Sequence, residues 1–283
     1  MAMSSKHFLG LGPHGFHRVH YTEWGEPAND KVLFCVHGLT RTGRDFDDLA
    51  AALENTYRVI CPDVVGRGRS EWLDHKSDYS YPQYLADMTA LLARSGAGQV
   101  DWVGTSMGGL IGMLLAAQPG TPIRKLVMND VGPFIPKAGL QRIADYVGKP
   151  VRFASLDEME RYMRLVAAPF GALTDAQWRH LTVHSARRLD SGDYVFAYDP
   201  GIAEPLKANL EDDVNLWPVW NAVRCPVLLL RGAESDVLTR TDAEAMQNCG
   251  PRATLVEFAG IGHAPMLLAA DQIKVVQDWL STG

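Results

Sequence analysis

Val100–Gln118 reads VDWVGTSMGGLIGMLLAAQ, and the fold turns on how that stretch is parsed. Val100–Gly104 is a short apolar run of the kind that forms a buried strand, and Met107–Gln118 is helical in composition and stops at Pro119. Between them Gly104-Thr105-Ser106-Met107-Gly108 fits the pattern G-x-S-x-G, which by itself is weak in a chain with 26 glycines. Its position between a strand and a helix gives it content. A chain reversing that sharply holds the serine hydroxyl above the strand end, and the flanking glycines remove side chains that would collide. The new helix turns its free N–H groups, that of Met107 foremost, toward any negative charge developing beside Ser106.

The surrounding sequence repeats the same alternation. Lys31–His37, Tyr57–Pro62, Ile123–Asn129, Pro226–Arg231 and Thr254–Ala259 are further apolar runs with little polar alternation, as expected of strands covered on both faces. Helix patterns lie between them at Asp45–Glu54, Tyr84–Ser95, Thr241–Cys249 and Ala270–Leu280. Arg18–Trp24 reads as an early antiparallel strand. The whole predicts an α/β fold with a mostly parallel central sheet and helices on both faces. The alternation breaks after Pro133 and resumes at Pro226, across a stretch rich in helix formers and aromatics, among them Tyr146, Phe153, Tyr162, Phe170, Trp178, Phe196 and Tyr198. A structureless loop of that length is improbable in a compact domain. We expect an inserted helical lid at 134–220, between core segments 1–133 and 221–283.

Composition narrows the function classes. The formal net charge is −6, and no Lys/Arg stripe is present that would neutralise phosphates, so nucleic acid is not the expected partner. No apolar run has the length of a membrane span, and Met1–Gly15 lacks the basic end and apolar stretch of a signal peptide. Four cysteines, Cys35, Cys61, Cys225 and Cys249, are scattered without a C-x-x-C pair, which suits free thiols in a reducing cytoplasm better than a disulfide framework. A monomer or homodimer is expected.

A serine hydroxyl needs a base to become a nucleophile. His263 follows the last strand in the glycine-flexed loop Gly260-Ile261-Gly262-His263, before the final helix, which brings it to the same edge of the sheet as Ser106. A carboxylate must then fix the imidazole tautomer. Asp236 is the expected one, just past strand Pro226–Arg231; Asp130, at the end of strand Ile123–Asn129, is the alternative, and Glu234 a third. Backbone N–H groups of Leu39, in the turn His37-Gly38-Leu39-Thr40-Arg41, and of Met107 are the expected oxyanion donors. Arg41 is a substrate-pocket candidate if it points inward and a surface charge otherwise.

Taken in order, His37-Gly38-Leu39, Asp63-Val64-Val65-Gly66-Arg67-Gly68-Arg69-Ser70, Gly104–Gly109, Arg231–Asp236 and Gly262-His263 resemble the α/β-hydrolase family across nearly the whole chain. They are most similar to lid-bearing bacterial serine esterases and enol-lactonase-like hydrolases. The resemblance implies a Ser-His-Asp triad with no metal and no organic cofactor, acting on a small-molecule ester or lactone, short hydroxyacid oligomers included. C–C bond hydrolysis of ring-cleavage products or cofactor-free perhydrolysis on the same residues is the alternative, and a non-catalytic ligand-binding protein of the same fold a remote one. Dehalogenases and epoxide hydrolases of this fold carry aspartate where this chain has Ser106, and the Gly38-Leu39-Thr40 loop departs from the glycine run of HGGG-type lipases.

Two further patterns are set aside. Gly10–Gly15 formally fits G-x-G-x-x-G but contains Pro13 and has no βαβ unit in register. His180 and His184 stand four apart on an expected helix, a spacing that can hold a metal, but no carboxylate lies between them; His184 is instead a candidate for the substrate pocket.

Overall fold

All six apolar runs lie as strands in one eight-stranded sheet, in a computed structural model that describes residues 3–208 and 210–282. Met1 and Ala2, at the head of the N-terminal stretch, lie outside the described residues. The first part of the chain supplies β1 (Ser4–Gly12), β2 (Gly15–Trp24), β3 (Val32–Val36), α1 (Asp47–Leu53), β4 (Arg58–Pro62), α2 (Tyr81–Ser95), β5 (Val100–Thr105), α3 (Met107–Ala116) and β6 (Ile123–Asn129). An insertion follows, with β7 (Phe134–Ile135), α4 (Lys137–Ala144), α5 (Leu156–Val166), α6 (Asp175–Ser185), β8 (Ala186–Arg188), β9 (Tyr194–Phe196), α7 (Ala203–Ala208), β10 (Val214–Asn215) and α8 (Trp217–Trp220). The core closes with β11 (Val227–Gly232), α9 (Arg240–Asn248), β12 (Thr254–Phe258) and α10 (Ala270–Ser281).

Strand order is β1-β2-β4-β3-β5-β6-β11-β12, parallel from β4 to β12 and antiparallel only at the β1/β2/β4 edge. Alternate residues of one strand serve two cores, which is why the runs read as continuously apolar. Val32, Phe34 and Val36 of β3 join Met88 and Leu91 of α2 and Ile111 of α3 on one face. Leu33 and Cys35 join Leu49 and Leu53 of α1 and Val276 and Leu280 of α10 on the other. Each fully buried Leu or Val of this kind stabilises the fold by about 1.5–3 kcal/mol relative to exposure.

The N-terminal hairpin departs from expectation. Residues 4–12 form a full strand paired to β2 from Ser4↔Glu23 to Gly12↔Gly15, so the rejected glycine pattern is the tip of a hairpin. An edge strand with most residues at least partly exposed leaves little apolar signal in the sequence. The insertion is helical, as expected, but it also carries the hairpin β8/β9 and the pair β7/β10, whose strands are too short to show a period. It lies against the loops at the carboxyl ends of the sheet. Gly68 N–H donates to Ala197 O (2.6 Å) and Gly262 N–H to Pro169 O (2.7 Å). A core of its own (Phe153, Met159, Met163, Trp178, Leu181) packs on Met266 and Leu268, just beyond His263. Among the described residues no helix is long and apolar enough to cross a membrane.

Candidate active site

The turn between β5 and α3 holds Ser106 at φ 51°, ψ −115°, in the left-handed region that non-glycine residues rarely occupy. Its neighbours explain how this is sustained. A Cβ on Gly108 would overlap the Val36 carbonyl, and one on Gly104 would overlap that of Gly108, so β3, β5 and α3 approach too closely for any side chain at either position. Ser106 N–H donates to Asn129 O (2.9 Å), tying the turn to the end of β6.

His263 Nε2 lies 3.0 Å from Ser106 Oγ. Its Nδ1 lies 2.7 Å from Asp130 Oδ2, so Nδ1 carries the proton and the Nε2 lone pair faces the serine. Asp130 is the expected alternative, and it, not Asp236, is the carboxylate at the imidazole. It sits at φ 57° directly after β6, fully buried. Oδ1 accepts from Gly232 N–H (2.8 Å), while Oδ2 accepts from Ser235 Oγ (2.7 Å) as well as from His263. These three donors satisfy a charge that would otherwise be costly to bury.

Asp236 is displaced because Gly232 and Ser235 of its own loop are spent on Asp130. The loop then turns outward, and Asp236, half-exposed, pairs with Arg142 of α4, whose Nη2 donates to Oδ1 at 2.8 Å. Glu234 is exposed, with its backbone N–H donating to Ile261 O. Sequence reasoning gave Ser235 and Asn129 no role. Asn129, fully buried, donates from Nδ2 to both Thr105 Oγ1 (3.0 Å) and Pro265 O (2.7 Å), linking the residue before Ser106 to the one two past His263. Ser235, immediately before Asp236, was the available signal.

The Leu39 loop abuts the serine: a Cβ on Gly38 would stand 3.6 Å from Ser106 Cβ. Neither the Leu39 nor the Met107 N–H has a protein acceptor among the described residues. Arg67, wholly buried, holds both sides. Its Nε donates to Leu39 O (2.8 Å), Nη1 to Val65 O and Tyr84 Oη, and Nη2 reaches Met107 Sδ at 3.7 Å. Tyr79 and Tyr84 cover its guanidinium. His37 anchors the same loop, Nδ1–H donating to Gly38 O (2.7 Å) and Nε2 accepting from Val64 N–H (2.9 Å). Burial is the main cause that pushes its pKa down to about 4.

His263 opens on a cavity of about 90 Å³ walled by insertion aromatics, Tyr146, Tyr162, Phe170, Phe196 and Tyr198 among them. Arg41 lines it, as the inward alternative required, but its guanidinium is bound to the Asp45 carboxylate at 2.6 and 2.7 Å. Lys149 is the cation at this cavity that has no carboxylate partner among the described residues. His184 does not line the cavity, contrary to expectation. Helix α6 turns it away from His263, toward a second cavity of about 640 Å³ beside Arg44 and Trp72. Burial, helped by Arg44 and His180, pushes its pKa down to about 4.

Comparison with known proteins gives the family. Residues 32–274 match the alpha/beta hydrolase family. The chain is 44% identical to the 3-hydroxybutyrate-oligomer hydrolase of Cupriavidus necator over 96% of this chain and 95% of that one. Among solved structures, an alpha/beta hydrolase from Novosphingobium aromaticivorans superposes with a TM-score of 0.87 at 35% identity, covering 99% of both chains. A protein from Rickettsia typhi does so with a TM-score of 0.92 at 33% identity, again over 99% of both.

Proposed function

The chain belongs to the alpha/beta hydrolase family and is an enzyme that hydrolyses esters or lactones, and from that premise we propose that it cleaves short oligoesters of hydroxy acids, 3-hydroxybutyrate oligomers first among them, through an acyl-enzyme on Ser106. The observation that carries this reading is the Ser106–His263–Asp130 relay, at 3.0 and 2.7 Å, opening on a cavity that joins aromatic walls to Lys149, which has no carboxylate partner among the described residues. Such an oligomer has apolar branches along its length and one carboxylate at its end, the two features those walls and that ammonium suit. The likeness to the Cupriavidus necator enzyme points to the same class of substrate.

In the proposed course His263 Nε2 takes the Ser106 proton as Oγ adds to an ester carbonyl, and Asp130 stabilises the imidazolium. The Leu39 and Met107 N–H groups receive the oxyanion, each such donor contributing roughly 10²–10³ in rate. His263 then protonates the departing alkoxide, which leaves as the hydroxyl end of one fragment. A water, deprotonated by the same imidazole, releases the other as its carboxylate.

Ser106→Ala is expected to lower kcat by ~10⁶. Asp130→Asn should cost ~10⁴, whereas Asp236→Asn leaves small-ester turnover within a few-fold of the parent. Turnover retained in Ser106→Ala, or a large loss confined to Asp236→Asn, overturns the assignment. For the substrate class, Lys149→Met should raise KM for a free-acid 3-hydroxybutyrate trimer and leave that of its methyl ester unchanged. Equal effects on both esters would remove the carboxylate-reading role.

A further inference from the structure

We propose that His180, His184 and Asp47 form a binding site for a borderline divalent transition cation, with Zn²⁺ the best match, and that the bound ion ties helix α6 of the insertion to helix α1 of the core. The sequence offers two histidines one helical turn apart and lacks the third ligand; the fold supplies it from a distant part of the chain. One donor atom from each of the three side chains lies within 4.8 Å of the others. His180 Nε2 is 3.5 Å from Asp47 Oδ2, and the two imidazoles stand with ring centroids 4.5 Å apart. Two ligands at ~2.1 Å from a tetrahedral zinc are themselves ~3.4 Å apart, so the His180–Asp47 separation already fits and His184 has to close by no more than about 1.4 Å.

A fourth ligand is at hand. His180 Nε2 lies 2.9 Å from the Arg44 carbonyl, to which it donates in this structure. On metal binding the imidazole proton shifts to Nδ1, and the ion occupies the space facing that carbonyl. Two imidazoles, one carboxylate and one carbonyl suit Zn²⁺, Cu²⁺ or Ni²⁺ rather than the all-oxygen preference of Mg²⁺ or Ca²⁺. Access is provided by the cavity of about 640 Å³ that His184 and Arg44 both line. The side chain that opposes occupancy is that of Arg44, whose Nε donates to both Asp47 oxygens at 2.8 and 2.9 Å. The same cavity gives its guanidinium somewhere to go. The site therefore makes an unusual demand: removing a neighbouring cation should tighten it.

The test is Zn²⁺ titration of the chelator-stripped full chain by calorimetry, paired with amide hydrogen exchange. The parent should bind one equivalent, and His184→Ala should weaken that binding by at least ~10-fold. Arg44→Gln should strengthen it, and His75→Ala, which breaks the stacked His14–His75 pair elsewhere on the surface, should leave it unchanged. Zinc should slow exchange across α6 in the parent and not in His184→Ala. Undiminished binding in His184→Ala, or loss in His75→Ala, overturns the site. One equivalent bound at His184 without protection of α6 overturns the tie between the helices.

Discussion

His37 shows how much the site depends on one residue that touches no substrate. It is fully buried and neutral, spanning Gly38 O and Val64 N–H, and so holds the Leu39 loop against Ser106. Its pKa of about 4 in the fold, against 6.5 when free, makes it a stability element with a sign. Below pH 6.5 the unfolded chain takes up a proton that the folded chain refuses, so stability falls from pH 6.5 down to about 4 and no further from this group. That difference corresponds to on the order of 3 kcal/mol. His37→Gln, which does not titrate, should be less stable at pH 7 yet decline less steeply over that window in urea unfolding. Parallel curves for the two proteins would show that His37 does not titrate this way. The same scale explains what could be read in advance and what could not. Ser106 and His263 are legible because each is marked by its own neighbours, glycines and a strand end. The carboxylate is not, since Asp130 and Asp236 both follow core strands. Their fates are divided by Ser235 Oγ and the Gly232 amide, pairings across 105 and 102 residues that no local pattern encodes.

At the scale of elements, the parallel strands of the core and the helices between them were legible to within about three residues, because a strand buried on both faces writes a continuous apolar run. What escaped was built from exposed edges and two- or three-residue strands: β1, the β8/β9 hairpin and the β7/β10 pair. The loop after β4 belongs to a third kind, recognisable as a motif but silent about its work. Its Asp63 accepts Gly43 N–H, Arg69 N–H and His20 Nδ1–H, which fixes the turn and sends Arg67 inward to Leu39 O and Met107 Sδ. Both proposed oxyanion donors thus hang on one buried guanidinium. Arg67→Leu should lower kcat by ~10²–10³ with little change in KM, because the donors act on the transition state more than on the bound ester. Thermal melting run alongside distinguishes this from unfolding: a variant that stays folded at the assay temperature and keeps full kcat would relieve Arg67 of that role.

Across the whole molecule the question is how a substrate enters. A cavity of about 90 Å³ lies far below the ~300–1,000 Å³ of sites that enclose small ligands, so an oligoester requires the insertion to move. Two of its side-chain contacts with the core differ in strength. The Arg142–Asp236 pair is half-exposed on both sides, and pairs of that kind contribute ~0–1 kcal/mol. The packing of Met159, Met163, Trp178 and Leu181 on Met266 and Leu268 is buried, and it reaches the chain only three residues past His263. A lid held in this way would act as both cover and splint. Loosening the first contact should ease entry, and loosening the second should also disturb the imidazole. Asp236→Asn is expected to raise kcat/KM for a hydroxybutyrate trimer a few-fold and leave a small activated ester unaffected. Met159→Ala, which leaves a cavity costing about 2–5 kcal/mol, should lower kcat for both substrates, although Met159 does not line the pocket. Measuring the two variants on the two substrates separates the roles. If Met159→Ala impairs only the trimer, the insertion acts as a cover alone, and His263 is held by the Asn129–Pro265 bond without its help.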